Sequence, residues 1–164
     1  MSKRLLGELG AMLDAYDVVR RADELRKRRI EAEGLAFLAG FAELRAKLVR
    51  PVFEAAGALL KERGHDFAIR EQEFVFEGEG KTSEAAISLR ITPAGMEGAT
   101  ASDLHLRELC FSTRHYNKTV CITNGAVPQS GSIAGAAGSY ALSQIDAQLV
   151  EQELLKLVAA LVKA

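Results

Sequence analysis

The sequence predicts an α+β fold from three observations. Residues 1–64 carry apolar side chains at helical spacing, residues 66–124 alternate apolar and polar side chains, and residues 146–163 return to helical spacing. With 164 residues, of which 48% are hydrophobic and 26% charged, the chain can bury a core as a single domain. We expect N-terminal helices, arranged as a hairpin or as kinked long helices, then a four-stranded antiparallel meander and a C-terminal helix packed on the sheet.

Composition excludes several classes of protein. A hydrophobic content of 48% with a net charge of −1 is not that of a disordered chain, and two cysteines cannot build a disulfide scaffold. Glu8 and Asp14 interrupt the apolar run that a secretory signal needs, and the charge-free stretch 119–145 is too rich in Gly and Ser for a membrane helix. We therefore expect a cytoplasmic protein without a membrane partner, in which Cys110 and Cys121 stay reduced.

The N-terminal segment contains a regular apolar stripe. It follows 4-3-4-3 spacing and consists of Leu5, Leu9, Met12, Tyr16 and Val19, which we call the N-terminal stripe. Asp23 and Arg26 occupy the next two positions of the same stripe. A second, wider apolar pattern runs from Ile30 to Leu60. A single helix of sixty residues would be about 90 Å long, so two helices with a break at Gly34 are expected; a continuous coiled-coil stalk is the alternative.

The second helix should bend at Pro51 and end at the sequence 61–64, where basic residues precede a glycine. The sheet should follow, with strands near 67–70, 87–91, 104–113 and 119–123. A four-residue loop, 115–118, joins the last two strands and places Phe111 opposite Ile122.

A Gly-, Ala- and Ser-rich loop is expected over 125–145, followed by a C-terminal helix over 146–163. Asp146 is a good N-cap for that helix, whose buried stripe starts at Val150 and ends at Leu161. The part of the loop from 125 to 143 is expected to be a mobile linker, or else an exchanged arm or a lid over a pocket between sheet and helices. It lacks the Gly-Lys-Ser/Thr of a phosphate-binding loop.

The candidate chemical groups form no recognisable catalytic or metal-binding motif. Cys110, Cys121 and His115 can come together on one sheet face, but their spacing matches no zinc motif, and we interpret them as two structural cysteines and a surface histidine. His65 follows a helix end and is paired with Asp66, and His105 is expected in a strand. No catalytic residue, cofactor or metal is therefore predicted.

A basic segment occupies residues 20–29 and has a net charge of +4. Its cationic side chains are Arg20, Arg21, Arg26, Lys27, Arg28 and Arg29. The balanced charge of the whole chain and the absence of aromatic residues in this segment argue against nucleic-acid binding and favour a solvated helical face. Residues 71–84 carry −4, so the two segments could pair with each other within or between protomers.

These observations favour a non-enzymatic interaction or oligomerisation module. The N-terminal stripe, continued by Asp23 and Arg26, is the expected interface of a homodimer, with Asp23 of one protomer paired to Arg26 of the other. A further protein partner is compatible with this interpretation. Two other hypotheses stay open: a small-molecule binder or enzyme with a pocket lidded by residues 125–143, and nucleic-acid binding through residues 20–29.

Overall fold

The computed structural model describes residues 2–76, 78, 82–96, 107–126 and 136–163. The chain divides into two compact units, Met1–Ala36 and Phe37–Ala164. Its helices are α1 (Lys3–Leu44), a π-helix (Arg45–Val49), α2 (Arg50–Glu62), a 3-10 helix (Leu142–Gln144) and α3 (Ala147–Lys163). The strands are β1 (Asp66–Gln72), β2 (Val75–Phe76), β3 (Thr82–Ser83), β4 (Ala86–Thr92), β5 (Glu108–Arg114), β6 (Thr119–Asn124) and β7 (Ala136–Tyr140). The α+β class is confirmed, and no helix among the described residues has the length and apolarity to cross a membrane.

The expected break at Gly34 is wrong. Helix α1 continues through Gly34, where nothing lies within 4 Å of the position a Cβ atom would occupy. The irregularity lies at Pro51, where the five residues Arg45–Val49 form a π-helix and the N–H of Arg50 bonds the carbonyl of Arg45. Proline has no N–H and crowds the carbonyl four residues earlier, and one wider turn relieves that crowding.

Helix α2 ends as the sequence predicts. Gly64 has φ +86°, the His65 N–H bonds the Leu60 carbonyl at 2.9 Å, and the Gly64 N–H bonds the Lys61 carbonyl at 3.0 Å. This pair of bonds is the Schellman motif, which satisfies the last carbonyls of a helix and favours glycine at its left-handed position.

The sheet has more strands than expected. In the described residues, five antiparallel strands pair in the order β1-β4-β5-β6-β7, and β2 pairs with β3 in a separate hairpin. The extra strand β7 lies inside the segment 125–145, which was expected to be a loop, as does the 3-10 helix. The third expected strand begins at Glu108, and residues 104–106 of the expected strand lie outside the described residues.

The predicted register between β5 and β6 is confirmed. Phe111 faces Ile122 and Thr113 faces Val120 across the two strands. Residues 115–118 form the turn between them, as expected. The core is the layer between this sheet and the helices, and it includes Phe53, Ile87, Leu89, Leu109, Phe111 and Ile122, all with no exposed area.

Helix α3 covers the same layer. The Asp146 carboxylate accepts the Leu149 N–H at 2.8 Å, which confirms the predicted N-cap. Val150, Leu154 and Leu157 are buried, and Leu161 is partly buried against the core. The predicted stripe of this helix is therefore confirmed.

We expect Gly57→Ala to lower the free energy of unfolding by about 1–3 kcal/mol, measured by urea denaturation. Gly57 is buried in α2, and a methyl group there would overlap the ring of Phe67 on β1. Gly34→Ala is the control, since open space surrounds that site and alanine should add helix content measured by circular dichroism. A rise in the unfolding midpoint of Gly57→Ala would contradict this packing.

Candidate functional site

The N-terminal stripe is exposed. Leu5, Leu9, Met12, Tyr16 and Val19 retain between 43% and 69% of their accessible surface. Leu6 and Leu13 flank the stripe and are 51% and 55% exposed. Asp23 and Arg26, which continue it, are exposed as well. Soluble proteins rarely leave large apolar side chains contiguous in water, and an ordered row of them marks an interaction surface.

The basic segment 20–29 is also exposed along α1. Arg20 lies 3.6 Å from the Asp17 carboxylate, and the remaining cations, Arg21, Arg26, Lys27, Arg28 and Arg29, are exposed. Of the acidic residues expected to balance this segment, Glu71 and Glu73 pair with Arg45 instead, and Glu84 pairs with His115. Glu77 and Glu79 lie outside the described residues.

A second apolar surface lies between α2 and α3, which we call the α2–α3 groove. It is lined by Ala56, Leu59, Leu154, Leu155, Val158 and Val162, around a cavity of about 330 Å³. Leu59, Leu155 and Val162 are 55%, 68% and 71% exposed. Sequence analysis missed this groove, although Leu155, Val158 and Val162 repeat at helical spacing beside the buried stripe of α3.

The histidine expected near the cysteines binds a carboxylate. His115 Nδ1 lies 2.5 Å from Glu84 Oε1, and Thr113 Oγ1 donates to Glu84 Oε2 at 2.8 Å. Thr113 Oγ1 in turn accepts the Ala85 N–H at 3.0 Å, and the His115 ring meets Phe74 edge-on at 4.9 Å. This cluster closes the β5–β6 turn onto the start of β4, which is a structural role.

The cysteines are diagonal neighbours, as the predicted register requires, because Cys110 faces Thr123 and Cys121 faces Ser112. Both are free thiols. Burial, aided by the charge of Glu108, raises the pKa of the Cys110 thiol to about 12. Cys121 is buried, and its Sγ accepts a hydrogen bond from Arg114 Nη2 at 3.4 Å. The raised pKa of the Cys110 thiol disfavours its thiolate, which is the form that acts as a nucleophile or a metal ligand.

The other polar groups also have structural partners. His65 Nδ1 accepts the Ala94 N–H at 2.9 Å, and His105 lies outside the described residues. Asn124 Nδ2 donates to the carbonyl and to Oε2 of Glu153, both at 2.8 Å. Within the described ranges, no group of three or more His, Cys, Asp or Glu side chains could hold a metal ion.

Comparison of the chain with protein-family models, with curated proteins and with solved structures finds no match. The assignment of a function therefore depends on the surfaces described above.

We expect Glu84→Ala to lower the free energy of unfolding by about 1–3 kcal/mol, because Thr113 and His115 both lose a hydrogen-bond acceptor. Glu43→Ala is the matched control, since it removes an exposed ion pair with Lys47 on the helix surface and should leave the urea midpoint unchanged. Equal urea midpoints for Glu84→Ala and Glu43→Ala would contradict a structural role for the Glu84 cluster.

We expect the thiol of Cys110 to resist alkylation in the folded protein. A pKa near 12 leaves little thiolate at pH 8.5, and the greater nucleophilicity of a high-pKa thiolate offsets only part of this loss. In a Cys121→Ser variant, iodoacetamide should react roughly 100-fold more slowly with the folded chain than with the same chain in urea. Similar rates in the two states would contradict the raised pKa of the Cys110 thiol in the folded chain.

Proposed function

We propose that this chain is a self-association module whose interface is the N-terminal stripe. The observation that carries the proposal is the exposure of five large side chains at heptad spacing on one helix, each between 43% and 69%. A heptad row of this kind is the seam by which one helix packs on another.

The energetic balance supports association. Full burial of a large apolar side chain contributes about 1.5–3 kcal/mol, and a dimer buries the stripe of both protomers. Ten such side chains together offset the cost of association, which is about 4–15 kcal/mol. In an isolated helix the same side chains contribute only about 0.2–0.5 kcal/mol for each pair three or four residues apart.

A second copy of the chain is the partner that the stripe fits best. It always offers a heptad row of the same length and chemistry, and symmetric dimers are the commonest oligomers of soluble proteins. The centre of the layer between the sheet and the helices is filled by Phe53, Phe111 and Leu89, all fully buried, while a cavity of about 290 Å³ lies at its edge, lined by His65 and Ile91 among others. The filled centre favours an interaction protein over a small-molecule binder whose pocket would occupy that centre.

We expect a solution mass near 35 kDa by light scattering at tens of micromolar, against 17.7 kDa for the monomer. The double variant Leu9→Glu, Tyr16→Glu should weaken association at least about 100-fold, because each dimer would bury four unpaired carboxylates. Its far-ultraviolet circular dichroism and urea midpoint should still show a folded core.

The matched control is Ala11→Glu, Val18→Glu. It has the same added charge and the same seven-residue spacing, but at positions beside the stripe, so the variant should remain a dimer. A native chain of monomer mass would contradict the proposal. So would a Leu9→Glu, Tyr16→Glu variant that unfolds without any change of oligomeric state.

A further inference from the structure

We infer that two copies pair antiparallel over residues 2–19, with Leu9 of one chain level with the partner's Met12. This inference rests on the proposed self-association and specifies how the helices meet. Leu5 is then level with the partner's Tyr16. Any two residues whose numbers add up to 21 lie at the same height, and the two-fold axis passes between residues 10 and 11.

The heptad positions support this register. Leu9 and Tyr16 occupy one seam position, while Leu5 and Met12 occupy the other. In an antiparallel pair, a residue at one seam position lies opposite a residue at the other seam position of the partner. Leu5 therefore pairs with Tyr16 and Leu9 with Met12, twice each, which gives four consecutive apolar layers. Leu6 and Leu13 lie beside the seam on one side of the helix, and each comes close to the partner's copy of the other. The pairing would therefore also cover these two exposed leucines. No charged residue enters the seam.

The charge distribution favours the same arrangement. Residues 3–9 carry a net charge of +1 and residues 12–18 a net charge of −2, and antiparallel pairing sets the two segments at the same height, with their charged side chains outside the seam. The basic segments 20–29, each +4, then point to opposite ends. Their centres are 14 residues from the axis, so they lie about 42 Å apart at 1.5 Å per residue. This distance is several times the Debye length of about 8 Å at physiological salt.

A parallel pair is less favourable. It sets the two basic segments side by side, at the interhelical distance of about 8–10 Å. It also places Asp23 against the partner's Asp23 and Arg26 against the partner's Arg26 within the seam. Like charges in these positions oppose association.

An antiparallel pair centred between Asp23 and Arg26 joins opposite charges, as the sequence suggested, but it misplaces the stripe. Met12 and Leu9 would lie opposite the partner's Phe37 and Gly40. Phe37 is only 6% exposed. Leu142 Cδ1 already lies 2.8 Å from the position that a Cβ atom on Gly40 would occupy. In that register, Leu9 and Met12 would therefore have no exposed apolar side chain of the partner opposite them to pack against.

Spin-label distances in the full chain test the register. Ala11 and Leu25 share one heptad position outside the seam, so Ala11→Cys and Leu25→Cys carry the label in equivalent surroundings. Each is made with Cys110→Ser and Cys121→Ser, and the mass and circular dichroism of this background are checked against the native chain. We expect a short distance, below about 25 Å, between labels at 11, and a separation of about 43 Å along the helices between labels at 25.

The other outcomes are distinct. A distance of about 40 Å at 11 with a short distance at 25 would overturn this register in favour of the pairing centred on Asp23 and Arg26. Short distances at both sites would show a parallel pair and overturn the inference, while self-association would stand. The absence of any distance, with a mass of 17.7 kDa for the native chain, would overturn the proposed function itself.

Discussion

The contact between Phe53 of α2 and Phe111 of β5 lies where the helix layer meets the sheet. The ring centroids are 6.1 Å apart at 59°, an inclined geometry that aromatic pairs favour, and both side chains have no exposed area. Strand β5 is the middle strand of the five, so this contact holds the helices over the centre of the sheet. Val150 and Leu157 of α3 belong to the same buried layer. The fold of the second unit depends on this apolar layer, because α2, α3 and the strands β4, β5 and β6 bury their apolar side chains there.

Polar groups secure the edges of that layer. Arg45 has a side chain that is only 9% exposed; it donates to the Gln72 carbonyl at 3.1 Å and to Glu73 Oε1 at 2.6 Å, which ties the π-helix to the end of β1. Glu153, 2% exposed, accepts hydrogen bonds from Asn124 and Lys156 and ties α3 to β6. A buried charge is tolerated only with such partners. Within the described part of the chain, Arg45, Asn124 and Glu153 thus have structural partners, and the exposed apolar stripe has most weight in the functional proposal.

Sequence reasoning succeeded where one local rule decides the outcome. The Asp146 cap, the end of α2 at Gly64 and the pairing of Phe111 with Ile122 each follow from a local preference or from an alternation that a hairpin turn makes unique. It failed for β7, because Ala136–Tyr140 has no apolar alternation and becomes a strand by pairing with β6. It failed at Gly34, because one glycine costs a helix only about 1 kcal/mol. The stripe was identified from its spacing, but its exposure depends on tertiary structure that spacing alone does not specify.

The same heptad spacing has opposite outcomes along α1, and this contrast supports self-association most directly. Phe37 and Phe41 are buried in the core of their own unit, whereas Leu5 to Val19 stay exposed within theirs. A helix without tertiary contacts has only its propensity and a few exposed ion pairs, such as Arg4 with Glu8, to stabilise it. Helices in proteins gain most of their stability by packing an apolar face. In the proposed dimer, a second copy supplies that packing for residues 5–19, and dimer formation and the stability of this helix are then one event.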